Sequence, residues 1–481
     1  MSGFESLMWE LERDPRLSSA FANLTLFDRA PNRAIFRARM AQATIAVPRL
    51  RQRVVDATTP WGHPTWIDDP DFDLDHHLRW VDLGGSASER EVDDLAATLM
   101  RQPFDRERPL WEFVTIEGLE HGRAAMLQRL HHTITDGEGG IRLSVQFLDF
   151  EQTPEPPVPA GSSATAGSRA PAARGGSDRH DAPLDAPLDG AAPDHEPDDD
   201  VAASDRPGLL QRSTGLVTGA AARAVAEAGA LPRRGSDLTA VARSTVRQVT
   251  VGPRRSPLWT ERSLERWLGT SELSLDEVKR AANHLGGSVN DLFIAGAATA
   301  AGRVHAAAGH PVDELRVSMP VSTRHDRSVG GNAFSPTQTL VPTGEMDVTE
   351  RFERIHEILN GVKAERAIGS LEGAANAASL LPSVALVRTG QHLASSVDFV
   401  CSNVRAAPFD LFIGGALMEA NYPLGPLAGT AFNLTTMSYR GTLFLGLVTD
   451  RAAIDDPEEL LAQLLDSYDE LLSVGGVTRR R

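Results

Sequence analysis

One stretch, from about Glu151 to Gly208, cuts the chain in two and constrains its fold more than any other feature. It holds ten of the 30 prolines, with twelve acidic and four basic residues. It includes GSSATAGSRAPAARGGS and DAPLDAPLDGAAPDHEPDDD. Such a composition buries too little apolar surface to offset the entropy of ordering it, so a disordered linker is expected over 151–208. With 481 residues in all, the chain exceeds what one core sustains, and two domains are expected. The expected organisation is an N-terminal domain over 1–150, the linker, a connecting helix over 209–244 and a C-terminal domain over 245–481. Within the connection, Leu209–Arg234 is alanine-rich with arginines on it. It reads as a packing helix or as a contact with a membrane surface.

The net charge of -17 falls unevenly, because -8 of it lies in that linker. An acidic chain is a poor partner for a nucleic-acid backbone, though a small anionic ligand in a local basic pocket is compatible with it. The single cysteine, Cys401, cannot close an intramolecular disulfide, which suits a reducing compartment. The N-terminus, MSGFESLMWELERD, lacks a basic start followed by an apolar stretch, so no secretory signal is expected. The longest apolar run, Leu292 to Gly302, is far short of a membrane span.

Both blocks mix helix and strand patterns. Glu89–Met100 is expected as a helix, with Ser88 and Glu91 as its capping box. Trp111–Glu117 and Ala124–Leu130 alternate as strands, and Gly139–Leu148 reads as a helix. In the second block the spacing predicts helices over Ser274–His284, Val289–His305 and Pro457–Leu472. Strands are expected over Leu315–Val321 and Thr442–Val448. The mixture is α/β.

The chemistry concentrates in His131-His132-Thr133-Ile134-Thr135-Asp136-Gly137. Two histidines end a strand, and Asp-Gly follows as a tight turn. A histidine at such a junction is held rigidly while facing a cavity, and its ordinary pKa suits proton abstraction near neutrality. Three readings stay open on the residues alone: a general base, a structural pair, or a metal site. Neighbouring histidines on a strand point to opposite faces, which disfavours the metal. His76-His77 in FDLDHHLRW lacks the Asp-Gly and reads as structural. No G-x-S-x-G elbow, P-loop or G-x-G-x-x-G occurs, and Cys401 has no histidine nearby in sequence.

His131–Gly137 matches HHxxxDG, the signature of an acyltransferase superfamily that includes chloramphenicol acetyltransferase-like enzymes and condensation domains. Arg108-Pro109-Leu110-Trp111-Glu112 lies upstream, and Ser288-Val289-Asn290-Asp291, Met319–Arg324, Gly331-Asn332, Ser402-Asn403-Val404 and Tyr422–Leu427 follow in order. Together with Trp66–Trp80, these resemble the bacterial wax ester synthase/diacylglycerol acyltransferase family over roughly 30–150 and 245–470. Two departures stand out. Arg405-Ala406-Ala407-Pro408 occupies the place where members often carry Pro-Gly-Pro, and Gly331-Asn332-Ala333-Phe334 is a loose match.

The resemblance implies two chloramphenicol acetyltransferase-like α/β domains with a substrate tunnel between them. It implies catalytic roles at His132, His131, Asp136, Gly137 and Asn290, with His132 as general base. Asn290 has a competing role as a helix cap, and Asp136 is expected to be structural. Substrate contacts are expected at Pro109, Leu110, Trp111, Asp291, Ser402 and Asn403. The expected activity is acyl transfer to diacylglycerol or a long-chain alcohol, forming triacylglycerol or wax esters. The alternatives are a related acyltransferase with another hydroxyl or amine acceptor, and a catalytically silent lipid-droplet protein. No cofactor or metal is expected beyond acyl-CoA as co-substrate. The expected location is cytoplasmic, at the inner membrane or lipid inclusions.

Overall fold

A computed structural model describes residues 1, 3–57, 63–135, 140, 143–153, 254–322, 334–366 and 383–477. The expected linker and the Leu209–Arg234 segment lie outside these residues.

Two six-stranded sheets carry the described fold. The first is built from β1 (Ala20–Phe27), β4 (Leu78–Ala87), β5 (Trp111–Leu119) and β6 (Ala124–His131), joined by β11 (Phe412–Ile413) and β12 (Ala416–Leu424). Its order is β11-β12-β1-β6-β5-β4. β4 and β5 run parallel, and the other pairs are antiparallel. The second sheet comprises β7 (Arg266–Ser274), β8 (Glu314–Ser322), β9 (Phe334–Pro342), β10 (Phe399–Arg405), β13 (Phe432–Tyr439) and β14 (Thr442–Asp450). Its order is β7-β14-β13-β10-β8-β9. A small hairpin, β2 (Gln52–Val55) with β3 (Thr65–Asp68), stands apart. β12 is therefore a strand of the second block that completes the sheet of the first, pairing Leu24 with Tyr422 and Thr25 with Asn421.

The helices form where the sequence provides caps and an apolar face. These are α1 (Gly3–Leu11), α2 (Arg33–Ala46), α3 (Leu74–His77), α4 (Glu89–Met100), α5 (Leu275–His284), α6 (Val289–Ala307), α7 (Val348–Arg366), α8 (Ser383–Ser395) and α9 (Pro457–Val474). The Ser88/Glu91 capping box is present on α4, and Val92, Ala96 and Leu99 face inward at helical spacing. Asp456 caps α9, with Pro457 at its first turn. Leu460, Leu464, Leu471 and Leu472 are buried there, each contributing roughly 1.5–3 kcal/mol. α6 is buried nearly all round, because Ala and Gly let α9 approach it closely. Tyr468 of α9 lies over Gly296, and its hydroxyl donates to Phe293 O at 3.0 Å.

Within the described residues, the expected strands and helices occur within a few residues of their expected bounds, with one difference. Over 139–148, the described residues Gly140, Leu143 and Ser144 are helical, whereas Val145–Phe147 form a turn. Phe147 is fully buried against Phe36 and Phe113, and Phe412 pairs with Asp149 as an isolated bridge. Burying Phe147 and reaching that bridge takes the chain off the helical path.

Candidate active site

β6 delivers both histidines. Its last residue, His131, pairs with Ala20 of β1, and the His131 N–H donates to Leu110 O at 3.0 Å. One residue on, the His132 N–H donates to Ser19 O at 3.2 Å. The two side chains then part. His131 turns to the face it shares with Ala20. His132 meets Phe21, whose side chain points to the opposite face of β1, with ring centroids 4.5 Å apart.

His131 is 1% exposed and fully engaged. The Thr133 N–H donates to Nδ1 at 3.1 Å, so Nδ1 accepts and the ring proton sits on Nε2. Nε2 donates to Glu12 Oε2 at 2.8 Å. Glu12 also accepts from Ser18 Oγ at 2.7 Å and from the Ser19 N–H at 3.0 Å. Burial pushes a carboxyl up, but these hydrogen bonds from His131, Ser18 and Ser19 outweigh it and hold Glu12 at about 2.

His132 is half-buried. Its Nδ1 lies 3.3 Å from Thr135 O. A carbonyl only accepts, so Nδ1 carries the proton and Nε2 carries the lone pair in the neutral ring. This is the tautomer a general base needs: one nitrogen anchored to backbone, the other basic. Asp136 and Gly137 lie outside the described residues.

The upstream motif separates two cavities. Leu110 and His131 line a small one of about 70 Å³, together with Trp9, Glu12, Phe104 and Arg266. Pro109 and Trp111 line a larger one of about 440 Å³, with Arg79, Arg108 and Arg129. Gln102, Pro103 and Phe104 border both. Trp111 is also a core residue, 1% exposed, donating from Nε1 to Leu50 O at 2.9 Å. His77 stacks on it at 4.5 Å and contacts Trp111 O through Nδ1 at 2.7 Å. Burial pulls His77 down to about 4, so it is a neutral, structural histidine near pH 7.

The second-block residues are placed elsewhere. Asn290 and Asp291 sit in the first turn of α6. The cap there is made by Ser288 with Asp291 and not by Asn290. Asp291 is 1% exposed; its Oδ2 accepts from the Ser288 N–H at 2.7 Å and pairs with His356 Nδ1 at 2.8 Å. Ser402 and Asn403 lie on β10 beside Thr435 and Thr436 of β13, and Thr436 Oγ1 donates to Asn403 Oδ1 at 3.2 Å. None of these four lines either cavity. Cys401 is 1% exposed, and burial pushes its thiol far above the ordinary range, which leaves it without nucleophilic thiolate. Among the described residues, no group of three metal-ligating side chains occurs.

Sequence reasoning did not find Glu12, Phe21, Thr135 or Arg266. Glu12 lies 119 positions from His131, and no local pattern marks such a partner. Phe21 was findable in principle, since it would follow from pairing β1 with the strand that ends at His131.

A family model described as the wax ester synthase/diacylglycerol acyltransferase catalytic domain matches residues 1–293. One described as the WS/DGAT C-terminal domain matches residues 330–472. A putative diacylglycerol O-acyltransferase of Mycobacterium tuberculosis is 34% identical over 479 residues, covering 98% of this chain and 91% of that protein. Another from the same organism is 26% identical over 464 residues, covering 90% and 83%. Among solved structures, the wax ester synthase/diacylglycerol acyltransferase from Marinobacter aquaeolei VT8 superposes with a TM-score of 0.61 at 18% identity, covering 98% of this chain and 99% of that one. The first condensation domain of the CDA synthetase gives 0.57 at 14% identity, covering 98% and 94%. These structural likenesses establish the fold as the α/β type of the chloramphenicol acetyltransferase-like enzymes. On the match of both family models and of the relative aligned over nearly its whole length, the chain belongs to the wax ester synthase/diacylglycerol acyltransferase family, a family of acyltransferases.

Proposed function

We propose that this chain transfers a fatty acyl group from acyl-CoA to the hydroxyl of diacylglycerol or a long-chain alcohol, with His132 as general base. The observation that carries the reading is the fixed His132 ring, anchored through Nδ1 at Thr135 O and against Phe21, with its lone pair on Nε2. Nε2 takes the acceptor's hydroxyl proton as that oxygen attacks the thioester carbonyl. The tetrahedral oxyanion collapses, the C–S bond breaks, and the thiolate takes the proton back from the imidazolium to leave as CoA thiol. Such a base is worth roughly 10²–10⁴-fold, and holding both substrates together adds a proximity term. Acyl-CoA is a co-substrate here, and no cofactor is required. The names of the relatives support the class of acceptor.

Apolar substrates must come from a lipid surface. Among the described residues no helix is long and apolar enough to cross a membrane, so association at the inner membrane or a lipid inclusion would be peripheral. Deleting 209–234 and measuring vesicle partition tests that segment's part in it.

The deciding assay incubates purified protein with palmitoyl-CoA and either diolein or hexadecanol, beside His132→Ala. Ester formation lost in the folded variant is expected. Full activity in His132→Ala overturns the reading.

A further inference from the structure

The small cavity beside His131 contains an arginine with no direct hydrogen-bonding or ion-pair partner among the described residues. Arg266 opens β7 and lines this cavity. Its Nε is buried without a hydrogen-bond partner, and no described residue forms an ion pair with its guanidinium. The nearby acids are already committed. Glu12 is held by His131, Ser18 and Ser19. Asp450 accepts from Ser263 N at 2.8 Å, Ser263 Oγ at 2.8 Å and Ala452 N at 2.9 Å. Arg101 pairs with Glu265, and Arg106 lies over the Trp9 ring at 3.5 Å while donating to Trp9 O at 3.3 Å. Asp450 and Glu12 act on Arg266 only through space, and a largely buried guanidinium without a direct partner costs stability unless something meets it.

The walls say what that is. Trp9, Met100, Phe104, Leu110 and Leu264 make the cavity mostly apolar, and Leu264 is 41% exposed at its mouth. About 70 Å³ takes a head group and no nucleotide. The Glu12 carboxylate in the same wall repels a dianion more strongly than a monoanion, so a singly charged head group is the better match to one arginine. A planar guanidinium matches a carboxylate with two parallel hydrogen bonds.

We infer that Arg266 is the anchor of a binding site for the carboxylate of a free fatty acid, its head group in the cavity beside His131 and its chain leaving past Leu264. The site goes beyond acyl transfer, because a free acid is neither the activated donor nor the acceptor.

Calorimetric titration of the full chain with laurate, below its micelle concentration at pH 8, tests this. The comparison set is wild type, Arg266→Gln and Arg266→Lys, with dodecanol as the uncharged probe and inorganic phosphate as the chainless one. Wild type is expected to bind laurate saturably. Arg266→Gln should weaken it about ten- to a hundred-fold, the worth of a charge-assisted hydrogen-bonded pair. Arg266→Lys should fall between, and dodecanol affinity should not change. Laurate binding equally well to Arg266→Gln overturns the inference, as does phosphate binding at this arginine in place of laurate. If Arg266→Gln fails to fold, Arg266→Lys decides, and unchanged laurate affinity there overturns it. His132→Ala should bind laurate like wild type, so this site and the acyl-transfer reading fail separately.

Discussion

Glu12 and His131 stand 119 positions apart in sequence and 2.8 Å apart in space. The same carboxylate binds the Ser19 N–H, and the Ser19 carbonyl in turn accepts from the His132 N–H. One half-buried acid therefore holds the first histidine by its ring and the second through the backbone.

Glu12→Gln is expected to lose part of this. The amide keeps an acceptor for His131 but gives up the charge that three donors share, costing about 1–3 kcal/mol. Because the error propagates to His132, kcat should fall roughly ten- to a hundred-fold with a smaller change in KM. Glu12 titrates at about 2 against an ordinary 4.5. Its stabilisation is therefore complete above about 4.5 and lost as pH falls toward 2, amounting to roughly 3 kcal/mol. Urea melts of wild type and variant between pH 2 and 7 should converge at the acid end. Parallel curves would contradict the role.

Asp93 behaves with the opposite sign. It projects from the buried face of α4, 6% exposed, with Thr270 Oγ1 donating to it at 3.4 Å. Burial lifts its carboxyl to about 7, against the pull of Arg90 and Thr270. Between about 4 and 7 the folded chain holds a proton that the unfolded chain has released, so stability declines as pH rises through that window. Asp93→Asn keeps the shape and removes the charge. It is expected to match wild type near pH 4 and to exceed it by up to about 4 kcal/mol at pH 8. Thermal melts at the two pH values give the answer, and equal differences at both would refute it.

Local signals in the sequence carried some of this and not the rest. The Ser88/Glu91 box, the strand running into His131 and the amphipathic Pro457 helix are written in neighbouring residues, and all three occur. The strand that delivers the two histidines was legible for that reason, whereas the two cavities are lined by Leu110, Trp111 and His131 and not by His132. What depends on long-range pairing was not. Nothing in Ala416–Leu424 marks it as a strand that leaves its own block to pair with β1. Asp291 carried a substrate expectation, yet tertiary packing buries it against Ser288 and His356. Arg266 looked like any other arginine until the fold left its Nε buried without a hydrogen-bond partner.

Gly296 is the point where α6 and α9 come closest. A Cβ there would stand 2.2 Å from the Tyr468 ring. That ring is 1% exposed and tied by its hydroxyl to Phe293 O, so it has little room to yield. Alanine gains about 0.5–1 kcal/mol of helix propensity over glycine, whereas overpacking costs about 1–3 kcal/mol or more. The clash wins, and Gly296→Ala should lower the denaturation midpoint. The paired Gly296→Ala/Tyr468→Leu variant should recover part of the loss, because the ring met by the added methyl is gone. A Gly296→Ala protein as stable as wild type would show that the two helices can separate freely.

Cys401 offers a check on the chemistry from the other side. It lies on β10 in the hydrophobic cluster that holds Phe399, Phe432 and Leu434, 1% exposed, and burial raises its thiol pKa strongly. Only thiolate attacks an alkylating agent, so iodoacetamide should label the native protein no faster than the chain opens. In denaturant the labelling should be immediate. Cys401→Ala removes one sulfur from a packed site and should cost about 1–2 kcal/mol without changing kcat. Rapid labelling of the native chain would contradict the burial of the thiol, and loss of acyl transfer in a well-folded Cys401→Ala would mean that it takes part in the reaction.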